Sequence, residues 1–228
     1  MSSKKFQLPN HIVPFKNPDK AFQEDSSPHD LLHFGHSCRA ILYGGPSTGK
    51  TTAILNMVLH QNFDRIIVIH NDNNSKEYEN IDCEYLDSVP DPNDEELNLD
   101  PSQKTLMIFE DLFYKALPKQ ERKWLTDYFT TYSTHRSISV YLSCQDLFHQ
   151  VPTNVRRCCN VFVIFKNVDM ANLRNICSVL NLDNKDMCFI FKKYLTSQFD
   201  NLVVDLTRPD KKLRKNLTQV LDFGSKAL

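Results

Sequence analysis

Apolar residues fall along this chain in short unbroken runs rather than in long alternating or heptad patterns. AILY (40–43), RIIVIH (65–70), TLMIF (105–109), SISVYLS (137–143) and VFVIF (161–165) are rich in β-branched and aromatic side chains. Runs of that length and makeup suit strands covered on both faces, as in a parallel sheet. Stretches with helical spacing lie between them. Residues 51–60 follow a glycine-rich turn. Residues 118–132 open with Pro at a first helical position and set Trp124, Leu125, Tyr128, Phe129 and Tyr132 on one face, and residues 168–180 carry a similar stripe. Strands alternating with helices predict an α/β fold with a mainly parallel central sheet flanked by helices. One more strand is expected in FDNLVVDL (199–206).

Three segments break this rhythm. Residues 1–36 are polar with scattered Pro and His, and read as an irregular lead-in to a single domain over residues 37–206. Residues 71–104 are heavily acidic, include Pro90 and Pro92, and predict a surface excursion holding at most a short helix or strand. Residues 207–228 contain RPDKKLRKNL, the densest basic cluster, and read as a basic C-terminal tail.

Composition narrows the picture by exclusion. A chain of 228 residues with 41% hydrophobic and 24% charged residues can bury one good core. Its net charge of −1 gives no global attraction to nucleic acid or anionic membrane, so such a contact has to come from a local patch. No apolar run approaches the roughly 20 residues that cross a bilayer. MSSKKFQLPN has lysines but no apolar core after them, so no secretory signal is expected. The seven cysteines form no Cys-x-x-Cys pair, which predicts reduced thiols in a reducing compartment rather than a zinc site.

The most specific chemistry lies in Gly44-Gly45-Pro46-Ser47-Thr48-Gly49-Lys50-Thr51, followed by Thr52. It fits the G-x-x-x-x-G-K-[ST] phosphate cradle: glycines let backbone N–H groups turn inward, Lys50 reaches the β- and γ-phosphates, and the Thr51 hydroxyl binds Mg²⁺. The following helix aims its positive end at the same anion. Three of the chain's five glycines sit in this segment. ATP with Mg²⁺ is therefore the expected ligand.

A second site separates the classes that share this cradle. TLMIF runs straight into Glu110-Asp111, two carboxylates where a buried strand emerges. One can hold Mg²⁺ through water and the other can polarise an attacking water, which favours hydrolysis over transfer to an acceptor. SISVYLS leads to Cys144-Gln145-Asp146, which makes Gln145 a candidate γ-phosphate sensor. An arginine finger, worth roughly 10³–10⁵ in rate, could come from Arg136 or from Arg156 or Arg157, in the same subunit or a neighbour.

GGPSTGKTT, LMIFED and HRSISVYLSCQDLFHQVPTNVRRCCNVFVIFK together resemble the packaging ATPases of the FtsK–HerA superfamily. The likeness is to the viral branch found in poxviruses, adenoviruses, virophages and Polinton-like elements, and it spans about residues 37–180. It implies a RecA-like P-loop (ASCE-type) ATPase that forms a homo-oligomeric ring and pumps double-stranded DNA into a preformed capsid, with capsid or portal-vertex proteins as partners. The setting implied is the host-cell interior, at the virus assembly site or with the virion. Lys50 and Thr51 would bind phosphate and Mg²⁺, Glu110 would take the metal-site position, Asp111 the catalytic one and Gln145 the sensor. The family has Asp first in the acidic pair, whereas Glu comes first here, which leaves the division of labour open. Lys211, Lys212, Arg214 and Lys215 are candidates for gripping DNA phosphates. Two alternatives share the cradle: a nucleoside or polynucleotide kinase, and a helicase-type motor. A third is a scaffold in which ATP only holds an oligomer together.

Overall fold

All five apolar runs form strands of one sheet in the computed structural model, which describes residues 32, 34, 37–70, 77–136, 138–207 and 213–221. Most of the expected lead-in, part of the acidic excursion, Lys211 and Lys212 lie outside those residues. In chain order the first six strands are β1 (Arg39–Tyr43), β2 (Arg65–His70), β3 (Glu84–Leu86), β4 (Thr105–Glu110), β5 (Ile138–Cys144) and β6 (Val161–Phe165). They are parallel neighbours in the order β3-β2-β4-β5-β1-β6. Three antiparallel strands follow: β7 (Asn201–Asp205), β8 (Leu213–Lys215) and β9 (Gln219–Val220).

Period-two alternation in these doubly covered strands divides the core in two. From β1, Ile41 and Tyr43 point into one layer and Ala40 and Leu42 into the other. Helix α1 (Lys50–Leu59) closes the second layer with Ala53, Ile54, Met57 and Val58. The first layer is closed by α2 (Lys119–Asp127), α6 (Met170–Leu180) and α7 (Asn184–Tyr194), through Leu125, Ile176 and Ile190 among others. Both α6 and α7 begin at an aspartate whose carboxylate accepts two backbone N–H bonds, Asp169 and Asp183.

Several expectations change. The helix foreseen over 118–132 is α2, then a π turn (Tyr128–Tyr132), then the single turn α3 (Ser133–His135), with Pro118 as the cap rather than the first helical residue. The wider turn seats the rings of Tyr128 and Phe129 at 5.7 and 6.4 Å from Phe109. Helix α7 is an element the pattern did not single out. The acidic segment carries the short strand expected of it and also packs side chains into the core. Its β3 extends the sheet edge, held by a bidentate pair from Arg65 to Glu84 at 2.7 and 2.8 Å, and Tyr78, Val89, Leu97 and Leu99 are buried.

The basic tail is likewise structured over 213–221. Leu213, Leu217 and Leu221 are buried, and β8 pairs with β7. No helix among the described residues is long and apolar enough to cross a membrane.

Candidate active site

Parallel strands deliver their C-terminal ends to one edge of the sheet, so the residues just past β1, β4, β5 and β6 meet there. Pairing fixes which lies beside which. Tyr43 at the end of β1 is opposite Cys144 of β5 and Ile164 of β6, and Phe109 of β4 is opposite Leu142 of β5. β5 stands between β1 and β4. Gln145, next after Cys144, is therefore set between the cradle and the acidic pair.

The cradle occupies residues 44–49 between β1 and α1. Gly49 caps the helix at φ 93°, a left-handed conformation that side chains resist. A Cβ on Gly44 would lie 2.8 Å from Phe165 Cβ, so the loop can approach β6 only with glycine there. Lys50 is buried and its Nζ donates to the Gly45 carbonyl at 2.9 Å, which lays the ammonium across the loop. Thr48 Oγ1 donates to the same carbonyl at 2.9 Å. Gly45 N–H donates to Asn167 Oδ1 at 3.3 Å, tying the loop to the turn after β6. Pro46 and Ser47 stand exposed at the tip, and Thr52 lies in the first turn of α1.

Thr51 Oγ1 donates to Glu110 Oε1 at 2.6 Å. Glu110 is 2% exposed, and its other oxygen accepts from the buried Tyr78 hydroxyl. Burial raises the Glu110 carboxyl above its ordinary range, against the two hydroxyls that hold it down, and the nearby charges of Glu77 and Asp111 add to the rise. The Tyr78 phenol is raised well above its ordinary value by burial and by Glu110. A hard cation seated between Thr51 and Glu110 would meet two oxygen donors already in contact, which suits Mg²⁺. The cradle, with its lysine and its bare glycine walls, likewise suits a polyphosphate.

Asp111 is exposed and sits in the left-handed region at φ 50°, sharply turning the chain as it leaves β4. Its N–H faces Ser143 Oγ at 3.4 Å, and its Oδ1 lies 3.5 Å from Gln145 Nε2. The Gln145 and Asp146 N–H groups both donate at 2.9 Å to Oε1 of Gln150, the last residue of the short helix α4 (Leu147–Gln150), which fixes the turn carrying Gln145. Lys50, Thr51, Glu110, Asp111 and Gln145 are thus assembled at one edge.

Two of the three arginine candidates are not there. Arg136 precedes the start of β5, at the opposite edge, roughly 20 Å away for a strand of this length. Its guanidinium donates to the Pro92 carbonyl at 3.3 Å and covers the Tyr132 ring. Arg157 is exposed near the end of α5 (Thr153–Cys158), just before β6 begins at the same far edge. Arg156 is tied to carbonyls of the preceding turn, among them Leu147 and Val151, and to the Phe148 ring.

Two of the proposed DNA contacts are corrected. Arg214 is 6% exposed, paired with the buried Asp205 and bonded to the Leu32 carbonyl, so it serves the fold. Lys215 is bound to Asp200 at 3.0 Å. Sequence reasoning missed Tyr78 and Asn167. Asn167 could have been found by the rule that singled out Gln145, since it too is polar and just past a core strand. Tyr78 carries no such signal in its acidic segment.

A cradle after β1, an acidic pair at the end of β4 and β5 inserted between them define the P-loop ATPase class of α/β folds. Within that class, solved structures of viral DNA-packaging ATPases share the fold. B204, the DNA-packaging ATPase from Sulfolobus Turreted Icosahedral Virus, aligns over 79% of this chain and 97% of its own with a TM-score of 0.57 at 13% identity. The genome packaging NTPase B204 from Sulfolobus turreted icosahedral virus 2, in complex with ATP-gammaS, covers 78% and 96% with 0.55 at 15% identity. The pCW3 conjugation coupling protein TcpA, also with ATPgS, covers 83% of this chain and 61% of its own with 0.52 at 14% identity. At such identities the likeness establishes the fold. No family model and no curated protein sequence matches the chain.

Proposed function

We propose that this protein hydrolyses ATP to drive double-stranded DNA into a preformed viral capsid, working as a homo-oligomeric ring at the assembly site inside the host cell. The observation that carries the reading is the meeting of Lys50, Thr51, Glu110, Asp111 and Gln145 at one sheet edge. A kinase would need an acceptor pocket there; this chain instead sets a second carboxylate and an amide beside the cradle. The solved structures of the same fold include DNA-packaging and conjugation-coupling proteins, which favours a motor on DNA.

In this reading Lys50 leaves the Gly45 carbonyl for the β- and γ-phosphates. Thr51 and Glu110 would hold Mg²⁺, which would supply charge to offset that developing on the phosphates. Asp111 and Gln145 orient the attacking water, with the exposed Asp111 as its proton acceptor. Arg136 and Arg157 lie at the far edge, so a finger drawn from either would act on the site of an adjacent subunit. That geometry favours a ring.

The test is steady-state ATP hydrolysis with and without long duplex DNA, across protein and salt concentrations, with Lys50→Ala as the blank. Stimulation by duplex that fades with salt, and a rate per subunit that rises with protein concentration, are expected. Turnover indifferent to DNA and to subunit concentration would contradict the motor and the ring respectively. Turnover that needs a nucleoside or a nucleic-acid end would point to the kinase.

A further inference from the structure

Beside the phosphate cradle lies a cavity of about 680 Å³ that the hydrolysis site does not use. That volume is in the range of roughly 300–1,000 Å³ typical of small-molecule sites. The cavity shares Gly49 and Thr52 with the cradle, so a ligand held by its phosphates in one can extend into the other. The opposite wall is the turn between β8 and β9, residues 216–219.

Two features of the walls indicate the ligand. Phe199 is 56% exposed, unusual for so large an apolar side chain, and its ring edge stands 3.7 Å from where a Gly49 Cβ would be. An aromatic face left open next to a phosphate cradle offers a stacking surface. Asn56 and Asn201 also line the cavity, are 5% and 6% exposed, and each has an Oδ1 with no hydrogen-bond partner among the described residues. The Asn56 Nδ2 donates to the Thr52 carbonyl at 2.8 Å, which assigns the unpaired atom as the acceptor. Buried acceptors without donors are costly, so each oxygen is a standing acceptor for a ligand donor, which rotation about χ2, a soft torsion in Asn, would have to bring within reach.

We infer that this cavity seats the base of the bound nucleotide, with Phe199 stacking on it and Asn56 and Asn201 accepting from an exocyclic amine, as adenine provides. The inference rests on the reading that the cradle binds a nucleotide. With the base in that seat, Asn56 and Asn201 select ATP over nucleotides whose base edge lacks the amine, and the C-terminal hairpin closes the far wall. The hairpin is fixed in place by Asp200, which accepts from Thr196, Ser197, Asn216 and Lys215.

The test titrates ATP, purine riboside triphosphate (which lacks the amine) and inorganic tripolyphosphate, each with Mg²⁺, into the full chain and into Phe199→Ala and Phe199→Tyr. Phe199→Ala is expected to weaken ATP roughly five- to hundred-fold while leaving tripolyphosphate unchanged. Phe199→Tyr should retain ATP affinity, and the purine riboside should bind the unmodified chain less tightly than ATP. If tripolyphosphate binds as tightly as ATP, the cradle stands and the base seat falls. Equal binding of ATP and the purine riboside would remove the role of the two asparagines. Loss of tripolyphosphate together with ATP in Phe199→Ala would make the ring a support of the loop and overturn the inference. If none of the three binds the unmodified chain, the cradle reading fails first and the base seat with it.

Discussion

Glu110 is the residue on which the site's energetics turn. Its carboxyl is buried between the Thr51 and Tyr78 hydroxyls and titrates above the ordinary range because burial outweighs both bonds. Between the ordinary carboxylate value and the raised one, the folded chain holds a proton that the unfolded chain has lost. The contribution to stability is therefore full at low pH and falls as pH rises through that window. Ligand-free Glu110→Gln is expected to melt higher than the unmodified chain at neutral pH, with the gap closing towards acid pH; thermal melts across that range check it, and a lower melting point at neutral pH would count against the burial argument. In the proposed mechanism Asp111, exposed and with its Oδ1 3.5 Å from Gln145 Nε2, is the proton acceptor. Asp111→Asn should keep ATP affinity and lose roughly 10²–10⁴-fold in turnover, as removal of a general base does. Unchanged single-turnover hydrolysis would shift the base to Glu110. Most of these residues were legible because a cradle and a strand-end pair are local patterns. Tyr78 was not: it reaches Glu110 across 32 residues from a segment without periodicity.

Strands buried on both faces announce themselves by composition, which is why β1, β2, β4, β5 and β6 could be read directly. Strands β8 and β9 could not. Their sequence, Leu213-Arg214-Lys215 and its surroundings, looks like a solvated basic end until Asp205 and Asp200 are brought opposite it. The Asp205–Arg214 pair is buried on both sides, so removing one partner leaves a charge alone in the interior. Asp205→Ala is expected to lower unfolding free energy by about 3–5 kcal/mol in urea denaturation, and a loss below about 1 kcal/mol would mean that Arg214 finds solvent. The π turn after α2 was equally invisible, since a single extra residue in a helix leaves the apolar stripe nearly intact.

At the scale of the molecule, two facts bear on the proposed motor. The net charge of −1 leaves DNA binding to a local patch, and with Arg214 buried and Lys215 paired the C-terminal hairpin is a poor source of one. Two of the three candidate arginine fingers, Arg136 and Arg157, lie at the sheet edge opposite the cradle, where a neighbour's site could receive them. Fold and site class were legible in the sequence because they reside in local motifs and their order along the chain. The contacts and DNA path that the proposed ring would need were not, because they would belong to surfaces that one chain does not complete. The proposed function requires ATP-driven movement along duplex DNA. Displacement of a triplex-forming oligonucleotide from a linear duplex, with Lys50→Ala alongside, reads out that movement. Displacement that requires ATP, leaves the duplex strands paired and is lost in Lys50→Ala is the result predicted. Hydrolysis with no displacement, under conditions where duplex DNA is bound, would contradict it.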